Sequence, residues 1–214
     1  MYFLTSKIEF PDIENASEDG LLAVGGDLSV ERLLLAYHSG IFPWYEEGQP
    51  ILWWSPDPRM VLFPSKLKVS NSLSKVIESN RFTITYNTNF LEVIRHCATV
   101  ERNGQLGTWI TNDMINAYDE LNKKGYAQSV EVWLDNKLVG GLYGINLQEE
   151  KIFCGESMFS LERDASKVAL FHLVEKLKLE NYQLIDCQMY TRHLENLGAE
   201  EISRKDFKNY LKSS

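Results

Sequence analysis

Three polar side chains near the ends of two apolar segments are the ones best placed to do chemistry. Glu156 lies within KIFCGESMFS (151–160), and Asp186 and Gln188 close YQLIDCQ (182–188). Residues i and i+2 of a strand share a face, so Asp186 and Gln188 should project together while Cys187 points away. If the two segments are neighbouring strands, two carboxylates and an amide meet at one edge of a sheet beside Met158 and Ile185. Such a group can exchange protons and stabilise developing charge. The same residues could equally be acids hydrogen-bonded to backbone at strand ends.

Other chemistries find little footing. The chain has no G-x-x-x-x-G-K-[ST], no G-x-G-x-x-G after a strand, no H-E-x-x-H and no G-x-S-x-G, which argues against an ATPase or a serine hydrolase. His38, His96, His172 and His193 fall in unrelated segments, and Cys97, Cys154 and Cys187 form no C-x-x-C pair. Neither a metal site nor a disulfide framework is expected, and Cys154 and Cys187 read as small core residues.

These side chains need elements to hold them. Ser29 can cap a helix over 30–38, with Leu33, Leu34 and Tyr37 as its apolar stripe and Gly40 as terminator. A proline-rich aromatic platform follows over 41–58, holding three of the five tryptophans. Helices are predicted over 90–97, with Asn89 and Glu92 spaced as a capping box, and over 113–124, closed by Gly125. A hairpin is predicted from strands 128–134 and 137–145 around Asp135-Asn136, then a strand over 151–158, a helix over 165–179 and a buried strand over 182–188. Character changes near residue 60, which suggests a small N-terminal domain (1–60) and a larger one (61–214), in an α+β fold.

At 214 residues, 44% hydrophobic and 24% charged, the chain can build a core. No apolar run reaches the roughly 18 residues of a membrane span, and the N-terminus has no basic stretch followed by an apolar one. A soluble cytoplasmic protein is expected. The net charge of −8 disfavours general nucleic-acid binding, yet 59–81 carries Arg59, Lys66, Lys68, Lys75 and Arg81 against the single acid Glu78. That stretch is either a phosphate-binding patch or a solvated face.

Several longer strings carry a resemblance: GLLAVGGDLS (20–29), AYHSGIFPWY (36–45), PILWWSPDPR (50–59), GTWI (107–110), LVGGLYG (138–144), FCGESMFS (153–160), ASK (165–167), LIDCQ (184–188) and LGAEEISRKDF (197–207). In type and order they resemble the leucyl/phenylalanyl-tRNA-protein transferase family, across almost the whole chain. The resemblance implies a monomeric enzyme that moves Leu, Phe or Met from aminoacyl-tRNA to an N-terminal Arg or Lys, marking the acceptor for N-end rule degradation, without cofactor or metal. It also implies that the larger domain is similar to the Gcn5-related acetyltransferase fold.

By the same resemblance, Asp186 and Gln188 act on the incoming amine. A carboxamide oxygen is a very poor base, so Gln188 is expected to orient the amine while Asp186 and Glu156 stabilise its cationic character. Trp44, Trp109, Tyr118, Leu142, Met158, Ser160, Leu173 and Ile185 would surround the donor side chain and terminal adenosine. Arg59, Lys66, Lys68, Lys75 and Arg81 would contact phosphates of the tRNA 3′ end and acceptor stem. A coenzyme A dependent N-acetyltransferase would need a pyrophosphate-binding glycine loop, which RNGQLG (102–107) does not match. A noncatalytic peptide-binding module would leave Glu156, Asp186 and Gln188 without purpose.

Overall fold

A computed structural model describes residues 2–100 and 109–212. Two sheets organise it, and the changeover falls between Trp54 and Arg59. The first sheet has the order β1-β2-β4-β3, from β1 (Tyr2–Leu4), β2 (Leu21–Gly25), β3 (Phe42–Pro43) and β4 (Leu52–Trp54). Helix α1 (Val30–His38) lies between β2 and β3, capped by the Ser29 hydroxyl as its sequence predicts.

The second sheet has seven strands in the order β11-β5-β10-β9-β8-β7-β6. They are β5 (Arg59–Leu62), β6 (Thr83–Tyr86), β7 (Ala127–Leu134), β8 (Lys137–Leu147), β9 (Ile152–Ser160), β10 (Leu184–Gln188) and β11 (Glu200–Ile202). Strands β9 and β10 are parallel neighbours, and their pairing runs from Leu184↔Ile152 to Asp186↔Cys154. The neighbour relation on which the catalytic grouping depends is therefore present, and β9 continues past its last β10 partner.

Helices cover both faces. Leu33 and Tyr37 of α1, Val93 of α3 (Phe90–Thr99), Met114 and Tyr118 of α4 (Asn112–Lys123) and Phe207 of α7 (Arg204–Leu211) share one core layer with Ile145 and Cys154. On the other face, α5 (Ala165–Leu179) packs Val168, Ala169 and Leu173 on Leu142, Phe153 and Ile185, joined by Leu73 of α2 (Asn71–Glu78). A short α6 (Arg192–Asn196) links β10 to β11. The α+β class expected from the sequence is the class observed, and no helix among the described residues is long and apolar enough to cross a membrane.

Local chemistry accounts for most boundaries. The hairpin β7–β8 turns on Asp135 and Asn136, both at positive φ, which short polar side chains tolerate. One predicted device is replaced. The Asn89 side chain makes no capping bond to α3. The fully buried Glu131 of β7 instead accepts from the backbone N–H groups of Thr88 and Asn89 and from the hydroxyls of Ser129, Thr85 and Thr88. A carboxylate at a helix start satisfies the same orphan donors as a local cap and adds a favourable charge.

Candidate active site

Glu156 and Gln188 both sit where their strands are irregular. Strand β9 shifts register against β8 between Tyr143↔Ser157 and Gly144↔Gly155, which leaves Glu156 as the extra residue of a bulge. Strand β10 shifts against β5 between Asp186 and Gln188, and Gln188 has φ +66°. Bulges bend a strand and re-aim its side chains, and a non-glycine residue in the left-handed region persists only where its surroundings hold it. The two bulges turn Glu156 and Gln188 towards each other, and Gln188 Nε2 donates to Glu156 Oε1 at 2.7 Å.

That bond sets the amide's orientation. With its nitrogen on the carboxylate, Gln188 presents Oε1 as an acceptor. The backbone N–H of Gln188 donates to Asp186 Oδ1 at 3.0 Å, which pins the bulge.

Asp186 is held in turn by Arg59. The guanidinium donates from Nε to Oδ1 at 2.8 Å and from Nη2 to Oδ2 at 2.7 Å, a bidentate pair with both residues 1% exposed. Arg59 lies between the rings of Phe42 and Phe207, 4.8 Å from each centroid. Asp186 thus has both oxygens engaged inside the protein.

Two tyrosines complete the group. Tyr37 of α1 donates to Glu156 Oε1 at 2.8 Å, Tyr118 of α4 donates to Oε2 at 3.1 Å, and the two hydroxyls also contact each other. Glu156 keeps some solvent contact, but its carboxyl is desolvated and pushed up to about 7, against the pull of the Tyr37, Tyr118 and Gln188 hydrogen bonds, with the Asp186 charge adding to the rise. Burial and the negative Glu156 push both tyrosines well above their ordinary value. Burial does the same to the Cys154 and Cys187 thiols, which makes them poor nucleophiles.

The structure sorts the other predicted residues. Leu142, Met158, Leu173 and Ile185 gather in the layer between the sheet and α5, so Met158 and Ile185 do not flank the carboxylates as expected. Tyr118 and Trp109 belong to the opposite layer. Trp44 is 38% exposed beside Trp54, with ring centroids 5.7 Å apart. The Ser160 hydroxyl donates to the Glu162 carbonyl at 2.7 Å and accepts from the Ser166 N–H at 3.2 Å, bracing the entry to α5. GTWI loses its first two residues, and RNGQLG all of its own, to the part of the chain outside the described residues.

The structure withdraws one residue from the expected basic patch. Arg59 is a correction: it is buried on Asp186 and has no surface from which to reach a phosphate. Lys66 pairs with Glu200 at 2.6 Å and Arg81 with Glu162 at 2.6 Å, while Lys68 and Lys75 stand exposed. The matching acids come from distant parts of the chain, which a count along one stretch cannot register. Sequence reasoning also missed Tyr37, placed in an apolar stripe; the signal was that a buried phenol needs a hydrogen-bond partner. A hollow of about 770 Å³, lined in part by Lys66, Tyr182, Glu200 and Tyr210, contains none of the candidate catalytic residues.

Comparison with known proteins adds a family to this geometry. The family model described as leucyl/phenylalanyl-tRNA protein transferase matches residues 61–212, and the model of that family's N-terminal domain matches 26–57. A leucyl/phenylalanyl-tRNA–protein transferase of Flavobacterium johnsoniae is 57% identical over 213 residues, covering 100% of both chains. One from Christiangramia forsetii is 54% identical, over 99% of this chain and 100% of its own. Among solved structures, a GCN5-related N-acetyltransferase from Kribbella flavida is similar at a TM-score of 0.42 and 9% identity, covering 85% of this chain and 63% of its own. With most of its length matched by the family model and full-length relatives more than half identical, the chain belongs to the leucyl/phenylalanyl-tRNA protein transferase family.

Proposed function

We propose that this protein transfers leucine or phenylalanine, and also methionine, from aminoacyl-tRNA to the α-amino group of a protein or peptide beginning with Arg or Lys, tagging it for N-end rule degradation. It works as a monomer in the cytoplasm. Family membership supports the aminoacyl transfer, and one observation carries the mechanism: Gln188 is held by Glu156 and Asp186 so that its amide oxygen is presented as an acceptor.

Aminoacyl-tRNA is an activated ester, so an amine displaces the ribose oxygen without ATP or a covalent enzyme intermediate. About a tenth of a free α-amino group is neutral at pH 7, and what the reaction needs most is placement against the ester carbonyl. Gln188 Oε1 accepts an N–H of the amine and sets its direction of attack. Asp186 is a positioning residue, since its oxygens face Arg59 and the Gln188 backbone. In this reading the donor site draws on both layers, Trp109 and Tyr118 from one and Leu142, Met158, Leu173 and Ile185 from the other, together with the exposed Trp44 and Ser160, where β9 runs on past its last β10 partner; the apolar side chains suit Leu, Phe and Met. Lys68 and Lys75, with Lys66 and Arg81 once their acidic partners yield, contact phosphates of the tRNA end. The division into a small unit (1–60) and a catalytic unit (61–214) belongs to the same reading, supported by the change of sheet between Trp54 and Arg59.

The test is transfer of radiolabelled leucine from Leu-tRNA to a protein beginning with Arg, beside the same protein with that amine acetylated. Label on the free N-terminus alone is expected. Label on neither, with Phe-tRNA and Met-tRNA also inactive, would overturn the reading.

A further inference from the structure

The protons around Glu156 do not add up when its carboxyl is ionised. Three oxygen contacts join Glu156, Tyr37 and Tyr118: Tyr37 to Oε1, Tyr118 to Oε2, and hydroxyl to hydroxyl. Each needs a proton between its oxygens, because facing lone pairs repel. Two phenols supply two. A protonated Glu156 supplies the third and closes a ring in which Tyr37 donates to Tyr118, Tyr118 to Oε2, and the Glu156 hydroxyl to Tyr37. Gln188 Nε2 continues to donate to Oε1 in either state. Tyr37 and Tyr118 are 2% and 0% exposed, and the three contacts are direct, so bulk water does not come between these oxygens.

We propose that this ring is a proton-holding site, in which Glu156 takes a proton from the acceptor's ammonium group and Tyr37 and Tyr118 are positioning residues that turn their hydroxyls to accommodate it. The proposal rests on the aminoacyl-transfer reading. The acceptor ammonium gives one proton to the Glu156 carboxylate and becomes a free amine. The amine nitrogen bonds to the ester carbonyl carbon, the carbon–oxygen bond to the ribose breaks, and a second proton of the nitrogen goes to the departing ribose oxygen. Glu156 then releases its proton to water, so atoms and charge balance with no further reactant.

The surroundings favour this exchange. Tyr37 faces Glu156 from α1, Tyr118 from α4, Gln188 and Asp186 from β10, and Cys154 from β9 itself, while Tyr143 of β8 lies edge-on to Tyr118. The negative charge of Asp186 is matched by Arg59 of β5. A carboxyl brought to about 7 lies just below the value near 8 of an α-amino group, so the proton moves at a cost of about tenfold in equilibrium.

Infrared titration of the free protein reads the proton directly. A protonated-carboxyl band is expected with a midpoint near 7, absent from Glu156→Gln. In single-turnover leucine transfer to an Arg-peptide, the pH–rate profile is expected to bend at the same midpoint. In Tyr37→Phe, and independently in Tyr118→Phe, band and bend should move together by about half a pH unit or more. No titrating band, a bend that stays put while the band moves, or phenylalanine variants that move neither would overturn the proposal. Absence of any transfer by the unmodified enzyme would defeat the reading on which it rests, while the band would still report whether the ring holds a proton.

Discussion

At the scale of single residues, the site is arranged as a relay of constraints. Phe42 and Phe207 fix Arg59, Arg59 fixes Asp186, Asp186 fixes the Gln188 backbone, and Glu156 fixes the Gln188 amide. Glu156 carries a stability cost that can be measured. Its carboxyl ionises near 4.5 in the unfolded chain and near 7 in the fold, so between those values the folded protein retains a proton that the unfolded chain has lost. Stability therefore falls as pH rises through that window, by roughly 3 kcal/mol once above it. Glu156→Gln removes the titration, so its Tm relative to the unmodified protein is expected to be higher at pH 8 than at pH 5. An equal difference at both values would contradict the assignment. The pair Asp186 and Gln188 was legible in the sequence as the polar end of an apolar strand, although the bulge between them breaks the i, i+2 alternation that strand periodicity predicts. Arg59 and Tyr37 were not, because a residue's partner across the fold leaves no mark beside it in the chain.

Elements with strong local signals read correctly. Helices α1 and α5 run over the residues expected, and the β7–β8 hairpin turns where Asp135-Asn136 predicts. Strand β5 was missed because Arg59–Leu62 is buried at every position and shows no alternation, and α7 because its stripe is carried by Phe207 and Leu211 in an otherwise polar run. The bulges were also invisible, since register is a property of two strands. The glycines around them are testable. A Cβ at Gly144 would stand 2.2 Å from the Cys154 carbonyl oxygen and 2.5 Å from the Phe153 ring, whereas at Gly155 the nearest atoms lie 3.7 Å away. Gly144→Ala should force β8 from β9 at the Glu156 bulge and cost about 1–3 kcal/mol, with transfer activity lost in parallel. Gly155→Ala should change stability by far less. Thermal unfolding of the two variants compares them, and equal losses would place the bulge's constraint elsewhere.

At the scale of the whole molecule, the site draws on most of the chain. Tyr37 and Phe42 come from the segment before residue 60, Tyr118 and Glu156 from the middle, and Asp186, Gln188 and Phe207 from the last thirty residues. The α+β class was legible, and the two carboxylates could be brought together once β9 and β10 were taken as neighbours, although both strands lie inside the sheet and not at its edge. The pairing of the basic stretch was not legible, because Asp186, Glu200 and Glu162 arrive from far along the chain to bury Arg59 and to meet Lys66 and Arg81 at the surface. All of this assembly converges on one claim: transfer depends on an acceptor amine aimed by Gln188, with Asp186 holding the aim. The direct measurement is the single-turnover rate of leucine transfer from Leu-tRNA to an Arg-peptide, for Gln188→Ala and Asp186→Asn beside the unmodified enzyme. Both variants are expected to be slower by about a hundredfold with tRNA affinity unchanged, the penalty for a misplaced reactant. Undiminished rates in both would contradict the account.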